Sequence, residues 1–464
     1  MPSHRIRDLP GPKGLPLLGN ALQFRPDTFH QVIEDWAGEY GNPYALRIGP
    51  RQAVVISDPA LIAEALKDRP HRFRRLMAME GIAEELGIHG LFSAEGVDWK
   101  RQRRAWMSAL NIHHVKPFFD QITEVTRRLQ RRWQQAAEAG QPVDVQSDLM
   151  RYTVDVTTLF AFGEDVNTLE QEEGDRIQTH LGVVFHMLNR RLAAPLPYWR
   201  WVRLPIDRRL DASMCIVREF VEGLIADARQ RIADNPALAA QPGNLLEALI
   251  VARDEDGSTF TDREIFGNTL TALLAGEDTT ANTLAWMIHL LSQHPEEQRL
   301  LQQQVDGVLG QAALWTDLAD ADALEPVDAL MSETLRIKPV APLIFLCANI
   351  DTRFAGVDIP AGTDVILSMR NAALSDAEFP EAHQFRPARW ADGQKKYATR
   401  PPMPFGGGPR MCPGRSLAVM EIKSVTSMLA RNFTVSPYGD KPVTEKMAFT
   451  LIPENLLVSL GNRD

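Results

Sequence analysis

The stretch PFGGGPRMCPGRSLAVMEIK, residues 404–423, sets one of the chain's three cysteines between a run of glycines and a half-apolar segment with helical spacing. Gly406, Gly407 and Gly408 open backbone conformations closed to other residues and let a bulky group approach the main chain. Pro413, followed by the periodic SLAVMEIKSVTSMLARNF, predicts a helix that begins there with proline near its first position. Cys412 is thereby expected at a helix N-terminus, where unpaired N–H groups and the positive end of the dipole lower a thiol pKa from its usual value of about 8.5. A thiolate held in that way is either a nucleophile or a metal ligand.

Cys215, Cys347 and Cys412 are too few and too far apart for a disulfide framework or a CxxC zinc site, which points to a reducing compartment. None of the eleven histidines can be tied by sequence to Cys412 as a general base, and no further zinc ligands stand close by. A single thiolate makes best sense where a macrocycle supplies the other ligands. Haem is that case, and an axial thiolate favours O–O cleavage.

The chain has 464 residues, of which 44% are hydrophobic and 24% charged, and a net charge of −10. That acidity argues against nucleic acid as the main partner. The start, MPSHRIRDLPGPKGLP, has no apolar leader, and no run approaches the roughly 20 apolar residues of a membrane span, so a cytoplasmic protein is expected. Residues 1–20 read as a Pro/Gly-rich arm, 43–59 as two strands around Gly49-Pro50, and 58–335 as overwhelmingly helical. Strand signals return at 355–368, at NFTV and at MAFTLIPENLLVSL. The economical reading is one mainly α domain over 1–464, with a small β region built from both ends of the chain.

The longest helix is predicted from Thr261, an N-cap with Glu264 completing a capping box, to just before Pro295. It spans on the order of 50 Å at 1.5 Å per residue. Its apolar run breaks at AGEDTT, residues 275–280. A solvent-facing patch is the plain explanation; apolar flanks on both sides favour a buried, functional interruption instead.

FGGGPRMCPG, residues 405–414, resembles the haem-binding signature of the cytochrome P450 family at every fixed position: Phe405, Gly408, Arg410, Cys412 and Gly414. AGEDTT is similar to the family's oxygen-activating stretch, ETLR (333–336) to its ExxR helix, FRPARW (385–390) to its later Arg-bearing loop, and WKRQR (99–103) to its WxxxR element. The resemblance spans residues 9–460 and implies the P450 fold, with a long central helix over haem b and the cysteine loop beneath it. It implies Cys412 as axial thiolate ligand, Asp278 and Thr279 as the acid–alcohol pair that delivers protons, and Ala275 and Gly276 as small residues letting the helix lie close over the macrocycle. Glu333, Arg336 and Arg389 are implied as a buried network that holds the ligand loop. Phe405 would shield the sulfur, a role compatible with that of an ordinary core phenylalanine. Trp99, Arg103 and Arg410 are the expected partners of the haem propionates. Relatives often carry one more basic residue where this chain has Leu346 or Cys347, and Ala388 stands where Glu is common.

The implied reaction is insertion of one atom of O₂ into a small hydrophobic substrate. No flavin or ferredoxin-like segment is present, so electrons are expected from a separate ferredoxin, with its reductase, or a flavodoxin-type donor. Lys100, Arg101 and Arg104 are either a solvated face or the docking patch for that donor. Residues 77–93, 183–199 and 340–345, including Val340, Ala341, Leu343 and Ile344, are expected to line the pocket. A monomer is expected. The alternatives are a haem-thiolate peroxygenase, isomerase or carrier that does not activate O₂, for which Asp278 and Thr279 would be superfluous, and a haem-free cysteine hydrolase.

Overall fold

The computed structural model describes residues 4–171, 175–194, 196–253, 257–391 and 403–463. Residues 1–3 of the expected arm, Pro195 of the second pocket stretch and the chain's last residue lie outside that set.

Six helices position the site: α1 (Pro59–Lys67), α2 (Gly96–Ala109), α3 (Val145–Phe162), α4 (Asp262–Gln293), α5 (Glu325–Ile337) and α6 (Arg415–Asn432). The capping box of α4 forms as expected: Thr261 Oγ1 accepts from the Glu264 N–H, and Glu264 Oε2 accepts from the Thr261 N–H. The resulting 32-residue rod is buried over most of its length and packs most extensively along α3. One large apolar core gathers residues from Ile82 to Leu460, with α3, α4, α5 and α6 all contributing.

Five strands, β1 (Tyr44–Ile48), β2 (Arg51–Ile56), β3 (Phe73–Arg75), β4 (Leu343–Ala348) and β5 (Asp364–Ser368), form a sheet in the order β1-β2-β5-β4-β3. The hairpin around Gly49-Pro50 is its β1–β2 pair. One face packs Val54, Leu346, Val365 and Phe73 against α1; the other packs Tyr44, Val55, Leu343 and Ile366 around Phe29 and Ile33. β3 and β4 fall in stretches read as helical or as pocket lining: both are short, and only sheet partners far along the chain make them strands. The N-terminal arm is tied down, with the Asn20 N–H donating to the Arg47 carbonyl and His4–Arg5 pairing with Val357–Asp358.

Among the described residues no helix is long and apolar enough to cross a membrane.

Candidate active site

The cysteine loop is pinned between α1 and α6. Gly408 has φ +64°, and a Cβ there would lie 2.4 Å from the Leu66 carbonyl oxygen, so both conformation and space demand glycine. The Cys412 N–H donates to the Phe405 carbonyl at 2.9 Å, closing the loop on itself, and Phe405 packs against the main core. The helix α6 starts at Arg415 with Gly414 as its N-cap, so Pro413 precedes the helix rather than opening it. Cys412 is nonetheless served by that terminus, because the N–H groups of Gly414 and Arg415 bond to its sulfur.

The expected fall in the thiol's pKa does not occur. Burial pushes it up, and the Gly414 N–H, the Arg103 charge and the Arg415 N–H offset only part of that cost. A metal ion at the sulfur would favour the thiolate against that cost. Among the described residues no three His, Cys, Asp or Glu side chains converge to hold an ion. Cys347 is no competitor: it is fully buried in β4 and its thiol is pushed up to about 11, burial being the largest cause.

Around the sulfur stands an excess of positive charge. Arg103 lies within electrostatic reach of Cys412 and of Arg410. Arg410 stacks over the Trp99 ring at 4.3 Å, donates to the Ala94 carbonyl at 3.0 Å and pairs with Glu95 at 2.5 Å. Its Nε has no partner, and neither do the buried Nε atoms of Arg69 and Arg75. Burial and the Arg410 charge bring the Arg69 pKa down to about 10. Arg69, Arg74, Arg75 and Arg410 outnumber the two carboxylates beside them, Glu80 and Glu95, and such an excess of guanidinium suits a further anion. The two carboxylates of haem b fit that demand, and the residue types present fit the group.

The helix α4 exposes Ala275 in the middle of an otherwise buried rod, with Thr279 half-buried one turn on and its hydroxyl donating to the Ala275 carbonyl at 3.0 Å. At Gly276 a Cβ would meet Thr157 Oγ1 at 2.2 Å, so the glycine allows α4 to press on α3. Asp278 is buried and turned to another face. It accepts from Asn282 Nδ2 at 2.8 Å and from Thr450 Oγ1 at 2.5 Å, and burial raises its pKa. Glu277 is fully buried with both carboxyl oxygens unpartnered, and burial beside Asp278 pushes its pKa far up.

Glu333, Arg336 and Arg389 come together. Arg336 grips Glu333 with two bonds of 2.8 Å, both side chains being fully buried, and Arg389 reaches Glu333 at 3.3 Å. Trp390 Nε1 also donates to Glu333, at 2.8 Å, a partner missed although it stands in the quoted FRPARW. Arg336 further donates to the Ala373 and Ala382 carbonyls, stitching the segment before the cysteine loop to α5.

The expected pocket set is divided. Val340 is buried, bonded through its carbonyl to the Leu451 N–H, and Ala341 is exposed. Leu343 and Ile344 sit on β4, whose alternation sends Leu343 to the Phe29 cluster and Ile344 to the opposite one, so they are sheet core. Sequence reasoning missed Phe449, whose ring meets Phe92 at 5.6 Å and Phe185 at 5.4 Å, joining the first two expected stretches. Of the basic residues on α2, Arg101 pairs with Glu264 at 2.7 Å and stacks over Phe260, which takes it out of a docking patch; Lys100 and Arg104 are exposed. A charged surface cleft of about 630 Å³, lined by Arg25, Asp27, Gln31, Glu445 and Lys446 among others, involves none of these residues.

The family model for cytochrome P450 matches residues 9–460. The chain belongs to the cytochrome P450 family. It is a P450 monooxygenase, a family that holds haem b through an axial cysteine thiolate. Similar P450 relatives include cyclooctat-9-en-7-ol 5-monooxygenase of Streptomyces melanosporofaciens, 29% identical over 92% of this chain and 89% of the relative. Pentalenene oxygenase of Streptomyces avermitilis is 27% identical over 97% of both chains. The chloroplastic carotene epsilon-monooxygenase of Arabidopsis thaliana is 28% identical over 95% of this P450 and 81% of its own length.

Proposed function

We propose that Cys412 is the axial ligand of a P450 that oxygenates a hydrocarbon-rich, terpenoid-like small molecule. The observation that carries the reading is the Cys412 sulfur receiving the Gly414 and Arg415 N–H groups at the edge of a buried arginine cluster short of carboxylates. The terpenoid class is supported by the cyclooctatin-, pentalenene- and carotene-directed names of the relatives.

Haem b, when bound, supplies the iron at which dioxygen is reduced and split. Trp99, Arg103 and Arg410 bind its carboxylates, while Phe405, Gly408 and Gly414 shape the loop that presents the sulfur. The Thr279 hydroxyl, beside exposed Ala275, holds the proton to be delivered, and Asp278 resupplies it through water. Glu333, Arg336 and Arg389 act on the loop only by holding it. Val340 and Ala341, with Phe92, Phe185 and Phe449, provide the apolar lining that selects the substrate.

Residues 1–464 act as one haem domain in the cytoplasm, a reading supported by the continuous core and the length of the family match. Electrons come from a separate ferredoxin or flavodoxin-type protein, whose acidic face suits Lys100 and Arg104. The test is the spectrum of the reduced, CO-treated protein. Thiolate ligation gives a red-shifted Soret band that Cys412→His abolishes; a band that survives the substitution would refute the assignment.

A further inference from the structure

A single turn carries both a ring of the substrate pocket and a hydroxyl bonded to the buried acid. Met447 pairs with Leu451 across the hairpin formed by Thr444–Met447 and Leu451–Glu454, which leaves Ala448, Phe449 and Thr450 as its turn. The Ala448 N–H donates to the Thr450 carbonyl at 2.9 Å and closes it. Phe449 meets Phe92 and Phe185, while the buried Thr450 donates to Asp278 Oδ2 at 2.5 Å and accepts from Asn282 Nδ2 at 3.1 Å.

Both legs of the hairpin are fixed. Trp286 Nε1 donates to the Leu451 carbonyl at 2.9 Å, the Leu451 N–H to the Val340 carbonyl at 2.9 Å, and Asn189 Nδ2 to the Met447 carbonyl at 3.1 Å. Farther from the turn, Glu445 is held by His30 at 3.0 Å, by Arg370 at 2.7 Å and by Lys338. Movement is thereby confined to the turn. Of the three rings, Phe449 is the one free to yield: Phe92 lies under the Arg75 guanidinium at 3.8 Å and Phe185 is buried within the helix Asp175–Ala193, whereas Phe449 is half-buried. A terpenoid-sized molecule entering among rings with centroids 5.4 and 5.6 Å apart has to part them.

The other titratable groups on the surrounding elements are committed elsewhere. On α4, Glu277 keeps its proton, and His289 responds to Lys338 and His294. On α3, Asp148 bonds to Arg132 and Asp155 to Thr168. His186, beside Phe185, responds to Arg190, Lys446 and Arg209, and Lys446 pairs with Glu454 at 2.9 Å. The groups that favour ionised Asp278 are its two donors, Thr450 and Asn282.

We infer that Thr450 is a positioning residue through which the substrate loads the acid: a molecule that pushes Phe449 aside draws the Thr450 hydroxyl off Asp278, and the carboxylate then takes a proton from bulk water. An empty pocket leaves Asp278 tied by both donors; a filled one leaves it holding a proton it can give. Ligand binding and protonation then favour each other reciprocally. The inference rests on the proposed pocket and acid.

The test uses the ferric holoenzyme with two iron-binding azoles, the triaryl clotrimazole and imidazole, which lacks the bulk to part the rings. Calorimetry in buffers of unlike ionisation enthalpy counts the protons taken up on binding, and comparing variants with the same azole cancels the ligand's own titration. With clotrimazole, the unaltered protein should take up more protons than Thr450→Val or Phe449→Ala. Its affinity should also gain on theirs as pH falls, by up to about tenfold for each unit by which the Asp278 pKa rises. Thr450→Ser, which keeps the hydroxyl, should retain the uptake, and with imidazole all four proteins should agree. Equal uptake by the unaltered protein and Thr450→Val on clotrimazole would overturn the inference, as would a difference of the same size with imidazole. The pocket reading fails separately, by clotrimazole binding no more tightly than imidazole, and the haem site by absence of the thiolate–CO band.

Discussion

Thr450 Oγ1 donates to Asp278 Oδ2 at 2.5 Å, tying a turn 172 residues further along the chain to the middle of α4. Asn282 donates to the other oxygen of the same carboxylate and also to Thr450, so the acid is held in a closed triangle. The neighbour of Thr450 in sequence is Phe449, the ring that joins Phe92 and Phe185.

The Thr450 hydroxyl stabilises ionised Asp278 against a burial cost that raises its pKa. Thr450→Val removes that donor at constant shape, so the pKa rises further. Oxygen consumption that draws its proton from Asp278 falls as pH rises through that pKa, so its pH midpoint should be displaced upward. A pH profile superimposable on that of the unaltered enzyme would show that Thr450 does not tune the acid.

Glu277 keeps a proton in the folded chain that its unfolded form gives up near pH 4.5. Because the folded pKa is the higher one, this residue's contribution to stability is greatest below that pH and declines as pH rises toward the folded pKa. Glu277→Gln removes the decline. The variant should match the parent in Tm at pH 4 and exceed it increasingly through pH 5 to 7, as followed by calorimetry.

Within the Glu333 network, loss of one charge strands another in a fully buried place. Arg336→Ala or Glu333→Ala should cost about 3–5 kcal/mol and leave little haem-loaded protein. Trp390→Phe deletes one donor to the carboxylate and should cost about 1.5–3 kcal/mol, with haem retained. Urea unfolding and the haem-to-protein ratio separate the two outcomes.

Two glycines of the cysteine loop should respond differently to alanine. Both have positive φ, but a Cβ on Gly406 meets nothing within 4 Å, whereas one on Gly408 collides with the Leu66 carbonyl. Gly406→Ala should cost about 1–2 kcal/mol. Gly408→Ala should also prevent the loop from closing on α1 and lower haem content. In α4, Gly276→Ala should destabilise the chain by its clash with Thr157, and Thr157→Ala should restore much of the loss, as a double-mutant cycle in urea would register.

Local signals carried the reading of α4 and of the cysteine loop. The Thr261–Glu264 capping box, Pro295 and the apolar spacing between them delimit a 32-residue rod without reference to anything distant. The Gly-rich run ending in Cys412 shows both the backbone freedom and the ligand in ten consecutive residues. Glu333 and Arg336 could be paired by their spacing of three, which is one turn of helix.

Tertiary structure decided what depends on distant partners. Whether Gly276 packs against Thr157, whether Leu343 joins a sheet core, and whether burial or N–H groups win at the Cys412 thiol all turn on which surfaces pack together. The same holds for Thr450 with Asp278 and for Phe449 with Phe92 and Phe185, residues with no local pattern to mark them. Covalent neighbours set backbone freedom and helix periodicity, so the sequence by itself determined the rod and the loop that carries Cys412. Burial, field and register are properties of the assembled chain, and these assigned each side chain its surroundings.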